Sequence, residues 1–309
     1  ARSMPALALS ACCNAALAAQ RSVAVSTVVV HSGNALAVAP RALAELSARS
    51  RRARASLRAA KRNAGGDANG EGSNSESDAN VDEAAAAAVR ADAELDRLRR
   101  RIDDIRVMHA RALLDTNSSR ADDVIAVLAP FGNGTAVRAD VRVLRGLAYA
   151  YSMRLDVALE TVAPLISNPD VDIESRVNAL WVTAFAHWRR SPSDADRRAG
   201  VAAAERAISE LRSAATDRRS LMRCSKPLRE LAGKTLGVLA GILQERFAAD
   251  DDAVLARCET VLEESYALKQ STNDLVGQAI ACGQLGRLHL QLYKRSSGGG
   301  GGSGGGGSS

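Results

Sequence analysis

Between residues 81 and 114 the apolar positions Leu95, Leu98, Ile102, Ile105 and Met108 recur at steps of three and four. That spacing puts them on one face of an α-helix. Asp82 and Glu83 suit the start of this helix, because carboxylates are favoured at the positive end of the helix dipole. Helix-like segments then continue to the C-terminal region. They are broken at Asn117-Ser118-Ser119, Pro130 to Gly134, Asn168-Pro169, Ser191-Pro192-Ser193 and Asp250 to Asp252. The breaks are short, so successive helices should pack antiparallel. The prediction is an all-α chain of helical hairpins stacked into a solenoid.

Ahead of this region, residues 5–20 and 34–62 are rich in Ala, Leu and Arg, which are good helix formers. Gly33-Asn34 is expected to separate the second helix from the β-branched run Val23 to Val30. With helical neighbours and no partner strand, that run reads as a buried helix. Residues 63–80 consist largely of Gly, Asn, Ser and acids and read as a disordered loop or insertion. The expected organisation is a basic helical segment at 1–62 and an acidic loop at 63–83. Tetratricopeptide-like helical repeats then run over 84–295, and a Gly/Ser-rich flexible tail closes the chain at 296–309.

The repeat can be tested at single positions. A tetratricopeptide unit needs a small residue where its two helices meet, an aromatic three positions on, an alanine in the second helix and a closing proline. Gly146, Tyr149, Ala158 and Pro169 fall at nearly those offsets. Weaker units centre on Ala184 with His187, on Gly237 or Gly241 with Ala256, and on Leu285-Gly286. Their unequal spacing predicts an irregular superhelix.

Composition narrows the functional class. Of 309 residues, 46% are hydrophobic, 3% aromatic and 25% charged, which excludes wholesale disorder and collagen-like structure. The formal charge of +6 is unevenly spread: residues 1–62 carry ten Lys or Arg against one acid, Glu45, while residues 63–83 carry six acids and no base. The sequence starts at Ala1, which reads as a fragment or trimmed chain. Met4 to Cys12 (MPALALSAC) has the look of a lipoprotein cleavage site, but its apolar run is short for an export signal. No apolar run reaches the length of a membrane span. Five cysteines without a CxxC spacing suit a reducing compartment.

Catalytic chemistry finds little support. His31, His109, His187 and His289 are scattered, with no HExxH or His/Cys cluster. Asp103-Asp104 and Asp250-Asp251-Asp252 are consecutive and point in different directions around a helix. No phosphate loop or nucleophile elbow is present, so no cofactor or metal is expected and the chain reads as a non-enzyme. The basic block Arg49, Arg51, Arg52, Arg54, Arg58, Lys61 and Arg62 has the charge to contact phosphate but no interleaved aromatic. It reads first as a solvated helix face, and direct DNA binding stays open. Trp181, Phe185 and Trp188 share one helical face, which suits packing between hairpins more than contact with a partner.

Two stretches carry a family likeness. Residues 141–166 (VRVLRGLAYAYSMRLDVALETVAPLI), with Leu144, Arg145, Gly146 and Tyr149, resemble the C-terminal repeats of the Mau family, most of all in its plant members. Residues 229–293 resemble its last repeats, through Arg229-Glu230, Leu239, Asn273-Asp274-Leu275 and Leu285-Gly286-Arg287-Leu288. The likeness runs from Ala91 to Tyr293. That family supplies the smaller, tetratricopeptide-like subunit of the cohesin loader. The resemblance implies a non-catalytic nuclear protein whose groove holds the extended N-terminal segment of the large HEAT-repeat loader subunit. Through that partner it would support cohesin loading onto chromatin and sister chromatid cohesion. The other reading is an unrelated tetratricopeptide scaffold for protein–protein interaction.

In either case the first helix of each hairpin should line the groove, at residues 137–152, 173–188 and 272–293. Within them Arg142, Arg145, Tyr149, Asn178, Trp181 and Arg287 are the candidate partner-binding residues, since arginine and aromatic side chains dominate binding hot spots.

Overall fold

The computed structural model describes residues 4–66, 74–132, 137–190, 193–215, 220–246 and 252–298. Among them there are ten α-helices, three short 3-10 turns and no strand. The helices are α1 (Met4–Gly66), α2 (Asn74–Thr116), α3 (Ala121–Leu128), α4 (Ala139–Tyr151), α5 (Leu155–Ser167), α6 (Ile173–Arg190), α7 (Asp194–Ala214), α8 (Lys226–Arg246), α9 (Asp252–Thr272) and α10 (Leu275–Gly298). The chain divides into two compact units, Val25–Leu113 and Leu114–Ser309 together with Ala1–Ala24.

The first unit is a hairpin of α1 and α2. Its side-chain bonds run antiparallel: the sequence separation falls from 77 residues at Ser32–His109 to 38 at Arg54–Asp92. Alanines and leucines form the seam, with Ala39, Ala88, Ala91, Leu95 and Ile102 all buried. Ser50 donates to Asp92 at 2.5 Å, and Arg54 adds two bonds to the same carboxylate at 2.7 and 3.0 Å. These donors hold the Asp92 carboxyl below the usual range, the Arg54 hydrogen bond contributing most.

Three expectations fail in this unit. Gly33-Asn34 does not interrupt α1, which runs on through Pro40; a Cβ at Gly33 would lie 3.5 Å from the His109 ring, so the small residue serves close approach. The run at 23–30 is helical, yet Val28 and Val30 are exposed, at 38% and 58%. Residues 63–83 are not one loop: 63–66 finish α1 and Asn74 to Glu83 open α2. The Ala84–Ala88 run that follows is a strong helix former and extends the helix back through its acidic start. Of the expected loop, 67–73 lie outside the described residues, as do 299–309 of the expected tail.

In the second unit each helix packs on the next, from α3 through α10. The first helices of the hairpins also touch one another in series, α4 with α6, α6 with α8 and α8 with α10. This is the helical-hairpin solenoid predicted from the sequence. Its core is continuous from Val177 in α6 to Leu288 in α10. Gly146 has the expected packing role: a Cβ there would lie 2.4 Å from Val162 Cγ1 of α5 and 3.4 Å from Val182 Cγ1 of α6. Gly241 plays the same part between α8 and α6, where a Cβ would meet the Trp188 ring at 2.7 Å.

The sequence-predicted breaks fall between helices. Asn117 accepts from Ser119 N–H at 2.9 Å, and Ser193 caps α7 by accepting from Asp196 N–H at 3.1 Å. Parts of the breaks at 130–134, 191–193 and 250–252 lie outside the described residues. One turn has no glycine to announce it: Met153 ends α4 in the left-handed region at φ 61°, with Arg154 N–H bonded to Tyr149 O at 2.8 Å. That is the Schellman closure, usually made by glycine. Asn273, at φ 59°, repeats it between α9 and α10.

Candidate functional site

Each first helix is flanked by its neighbours in the row and backed by the second helices, so one of its faces stays open. On α4 the half-buried positions Asp140, Val143, Leu147 and Tyr151 recur every three or four residues and follow this face. On α6 the corresponding stripe is Asn178, Trp181, Phe185 and Trp188. The two stripes meet at an aromatic cluster. Tyr151 and Phe185 lie edge to face at 5.3 Å, Trp181 stacks on Phe185 at 6.1 Å, and Phe185 and Trp188 cross at 6.0 Å. These spacings and angles are those that the aromatic quadrupole favours.

Trp188 links the cluster to α8. Its ring covers Gly241, and its Nε1–H donates to Glu245 at 2.9 Å. Beyond it α8 carries exposed Lys234, while Gly237 faces Lys269 of α9. Burial raises the Tyr151 phenol above its ordinary pKa, with the negative charge of Asp115 adding to the effect. Trp181 Nε1 is buried and has no hydrogen-bond partner, so its indole contributes area more than polarity. The face is an aromatic trough with a charged margin. It can hold an apolar or aromatic side chain of an extended peptide, and Lys234 can meet an acid or carbonyl beside it.

The six candidate residues are not brought together. Asn178 and Trp181 lie on the open face of α6; the Asn178 amide donates to Glu174 O at 2.9 Å within its own helix. Arg142, Arg145 and Tyr149 form a different stripe of α4. Arg145 is buried, 6% exposed, and its guanidinium donates to Leu128 O at 2.5 Å and to Gly132 O. It thus closes the carbonyl end of α3 and the turn after it, which is a structural task. Burial pulls its pKa below the usual arginine value. Tyr149 packs on the small cluster of Ala150, Leu155, Ala158 and Ala186. Arg142 is half-buried on α4, and Arg287 is exposed on α10.

The sequence pattern assigns Phe185 and Trp188 to packing, which they do; it includes Tyr151 in the lining range 137–152 without naming it as a contact, and it leaves out Lys234 and the whole of α8. The signal was available for Tyr151, which lies four residues after Leu147 and eight after Val143. Helix α8 opens after the segment 216–225, whose lack of period hides the hairpin boundary.

Other chemistry is sparse. Three of the histidines sit in structural contacts: His109 with Ser32 at 2.7 Å, His187 with Asp196 at 3.0 Å, and His289 with Glu259 at 3.8 Å. Among the described residues no group of three His, Cys, Asp or Glu side chains could hold a metal ion. A cleft of about 500 Å³ between α7, α8 and α9 has the apolar floor Ile208, Leu236, Leu239 and Val261. Two ion pairs, Arg212–Glu264 at 3.1 Å and Arg257–Glu205, neutralise its walls. No described helix is long and apolar enough to cross a membrane. Comparison with family models, with curated proteins and with solved structures gives no match.

Proposed function

We propose that this chain is a non-catalytic, peptide-binding helical-repeat subunit, and that its ligand is the extended N-terminal segment of the large HEAT-repeat subunit of the cohesin loader. The observation that carries the binding role is the continuous row α4, α6, α8, α10 with the aromatic trough Tyr151, Trp181, Phe185 and Trp188 on its open side. A solenoid face of this kind offers a long contact to a peptide that is disordered when free. The particular partner rests on the Mau-family likeness of residues 141–166 and 229–293. In this reading the protein acts in the nucleus, meets cohesin through its partner, and supports loading onto chromatin for sister chromatid cohesion.

A second reading, an unrelated tetratricopeptide scaffold, is favoured by one observation. Leu144, Arg145 and Gly146, which carry much of the likeness, are all buried and spent on packing. Any hairpin of this shape could need them.

The test uses the two tryptophans of the chain, Trp181 and Trp188, which both lie at the trough. Titration with peptides tiling the N-terminal segment of the large loader subunit should give a saturable change in tryptophan emission. Phe185→Ala, in protein shown by circular dichroism to remain folded, should weaken it at least tenfold. No change with any loader peptide, alongside binding to unrelated extended peptides, would favour the second reading. Silence toward all of them would end the trough hypothesis.

A further inference from the structure

Lys269 of α9 is only 4% exposed. Its stem runs where three glycines leave room. A Cβ at Gly233 would lie 3.2 Å from its Cγ, one at Gly277 2.9 Å from its Cδ, and one at Gly237 3.3 Å from Nζ itself. The side chain therefore threads between α8 and the head of α10 and ends over Gly237. Among the described residues nothing accepts a hydrogen bond from Nζ, although Asp274, just before α10, acts on it through its charge. The polar neighbours are engaged elsewhere. Ser265 donates to Gly233 O at 2.8 Å, and the Gln284 amide donates to Gly237 O at 3.2 Å. Gln284 Oε1 takes no hydrogen bond from the lysine either. A buried cation ordinarily ends on acceptors, because an unmet charge in the interior is costly. Burial accordingly lowers the Lys269 pKa, with Asp274 opposing the shift and Lys234 adding to it.

Gly237 belongs to the open side of α8. Between Glu230 and Glu245 the least buried positions of that helix are Lys234 and Gly237. They share a stripe with Gly241, over which the Trp188 ring lies. The ammonium and the indole thus stand on the same side of α8, one helical turn or about 5–6 Å apart along it. In an extended peptide, side chains two residues apart point the same way and are separated by about 6.5–7 Å. The two spacings match, so one edge of a single bound strand can meet both groups.

We propose, on the peptide-binding reading above but without regard to which partner supplies the peptide, that Lys269 is the seat for an acidic side chain of the ligand. That Asp or Glu lies two residues from the apolar or aromatic side chain that packs on Trp188. The free protein holds the cation already desolvated and fixed in place. The ligand carboxylate therefore gains a charge-assisted hydrogen bond without having to order a long side chain of the protein. Exposed Lys234, one turn along from Gly237, adds attraction of the same sign at the rim. Glycine at 237 keeps the approach open, since any side chain there would stand between the carboxylate and Nζ.

Selection of a library of short random peptides on the full chain tests this. Binders that lose affinity with Phe185→Ala, and so engage the trough, should be enriched in Asp or Glu two positions from an aromatic or large aliphatic residue. A selected peptide should lose about tenfold in affinity or more when its acid is changed to Asn or Gln, and by a similar factor on Lys269→Met. Against Lys269→Met the change of the acid should cost nothing further. The urea midpoint of Lys269→Met should meanwhile hold or rise, which a lysine that serves the fold would not allow. Gly237→Ala, which keeps the lysine and narrows the approach, should weaken the same peptide, and it decides the matter if Lys269→Met fails to fold. Trough binders without an acidic preference, or a preference that persists in both variants, would overturn the seat and leave the trough as a peptide site. A library that yields no Phe185-dependent binder would overturn the seat together with the peptide-binding reading.

Discussion

Gly146 and Gly286 offer the same chemical change in opposite surroundings. In a helix interior, glycine to alanine gains about 1 kcal/mol because the chain has less freedom to lose. At Gly286 nothing lies within 4 Å of the new methyl, so Gly286→Ala should show that gain almost whole. At Gly146 the methyl would lie 2.4 Å from Val162 Cγ1 and 3.4 Å from Val182 Cγ1. Ordinary carbon contacts are at about 3.5–4.0 Å, so the first cannot stand. Val162 is fully buried and β-branched, so it cannot turn aside without leaving its preferred rotamer. Either it does so or α4 and α5 separate, and overpacking of this kind costs about 1–3 kcal/mol. The two variants should therefore differ by about 2 kcal/mol, which for a domain of this size is roughly 4–8 °C in melting temperature. Thermal melts followed by circular dichroism measure the difference. Val162→Ala in the Gly146→Ala background should restore part of the loss, giving a favourable coupling of about 1–2 kcal/mol in a double-mutant cycle. If Gly146→Ala melts no lower than Gly286→Ala, α4 and α5 do not approach as described, and the repeat register is wrong.

Two further predictions rest on single residues. Met153 holds the left-handed position of the turn after α4, at φ 61°, and its side chain is 53% exposed; Met153→Gly should raise stability by about 1 kcal/mol, and a lower melting temperature would mean that the side chain outweighs the strain. Lys269 is 4% exposed against Gly233 and Gly237, and burial lowers its pKa from 10.5, with Asp274 opposing and Lys234 adding to the shift. The folded state then binds fewer protons than the unfolded one between the lowered pKa and about 10.5, so stability should rise with pH across that interval. Lys269→Met should raise the urea midpoint at pH 7 and flatten the rise, whereas a lower midpoint would show that the ammonium is well satisfied in the fold.

The helices were legible because they depend on near neighbours. The three- and four-residue period from Leu95 to Met108, the acids at the start of α2 and the caps at Asn117 and Ser193 are each local facts about the chain. Gly146 was legible for a related reason, since a small residue with a tyrosine three positions on constrains how two adjacent helices meet. The failures share a cause of longer range. Gly33 looks like a stop but sits where α1 passes the ring of His109, 76 residues away in sequence. Polar residues 74–83 look like a loop until the alanines behind them extend the helix.

The same distinction explains why Arg142, Arg145 and Tyr149 lie apart from the aromatic cluster. The spacing of Arg142, Arg145 and Tyr149 puts them on one stripe of α4, but periodicity fixes only their relation to one another. Which stripe faces the trough is decided by α3 and the turn after it, whose carbonyls at Leu128 and Gly132 draw in the Arg145 guanidinium. A buried cation needs such acceptors, since an unmet charge in the interior costs far more than a neutral group. Once Arg145 is turned toward α3, the geometry of α4 leaves Val143, Leu147 and Tyr151 for the open side. Tyr151 then meets Phe185, and the trough follows from one internal arginine. The aromatic residues of α6 therefore fill the joint between α4 and α8, and in the proposed reading their outer faces also meet the ligand. A residue so placed cannot be divided into packing and binding, so truncating Phe185 should be read only against a variant whose fold has been measured.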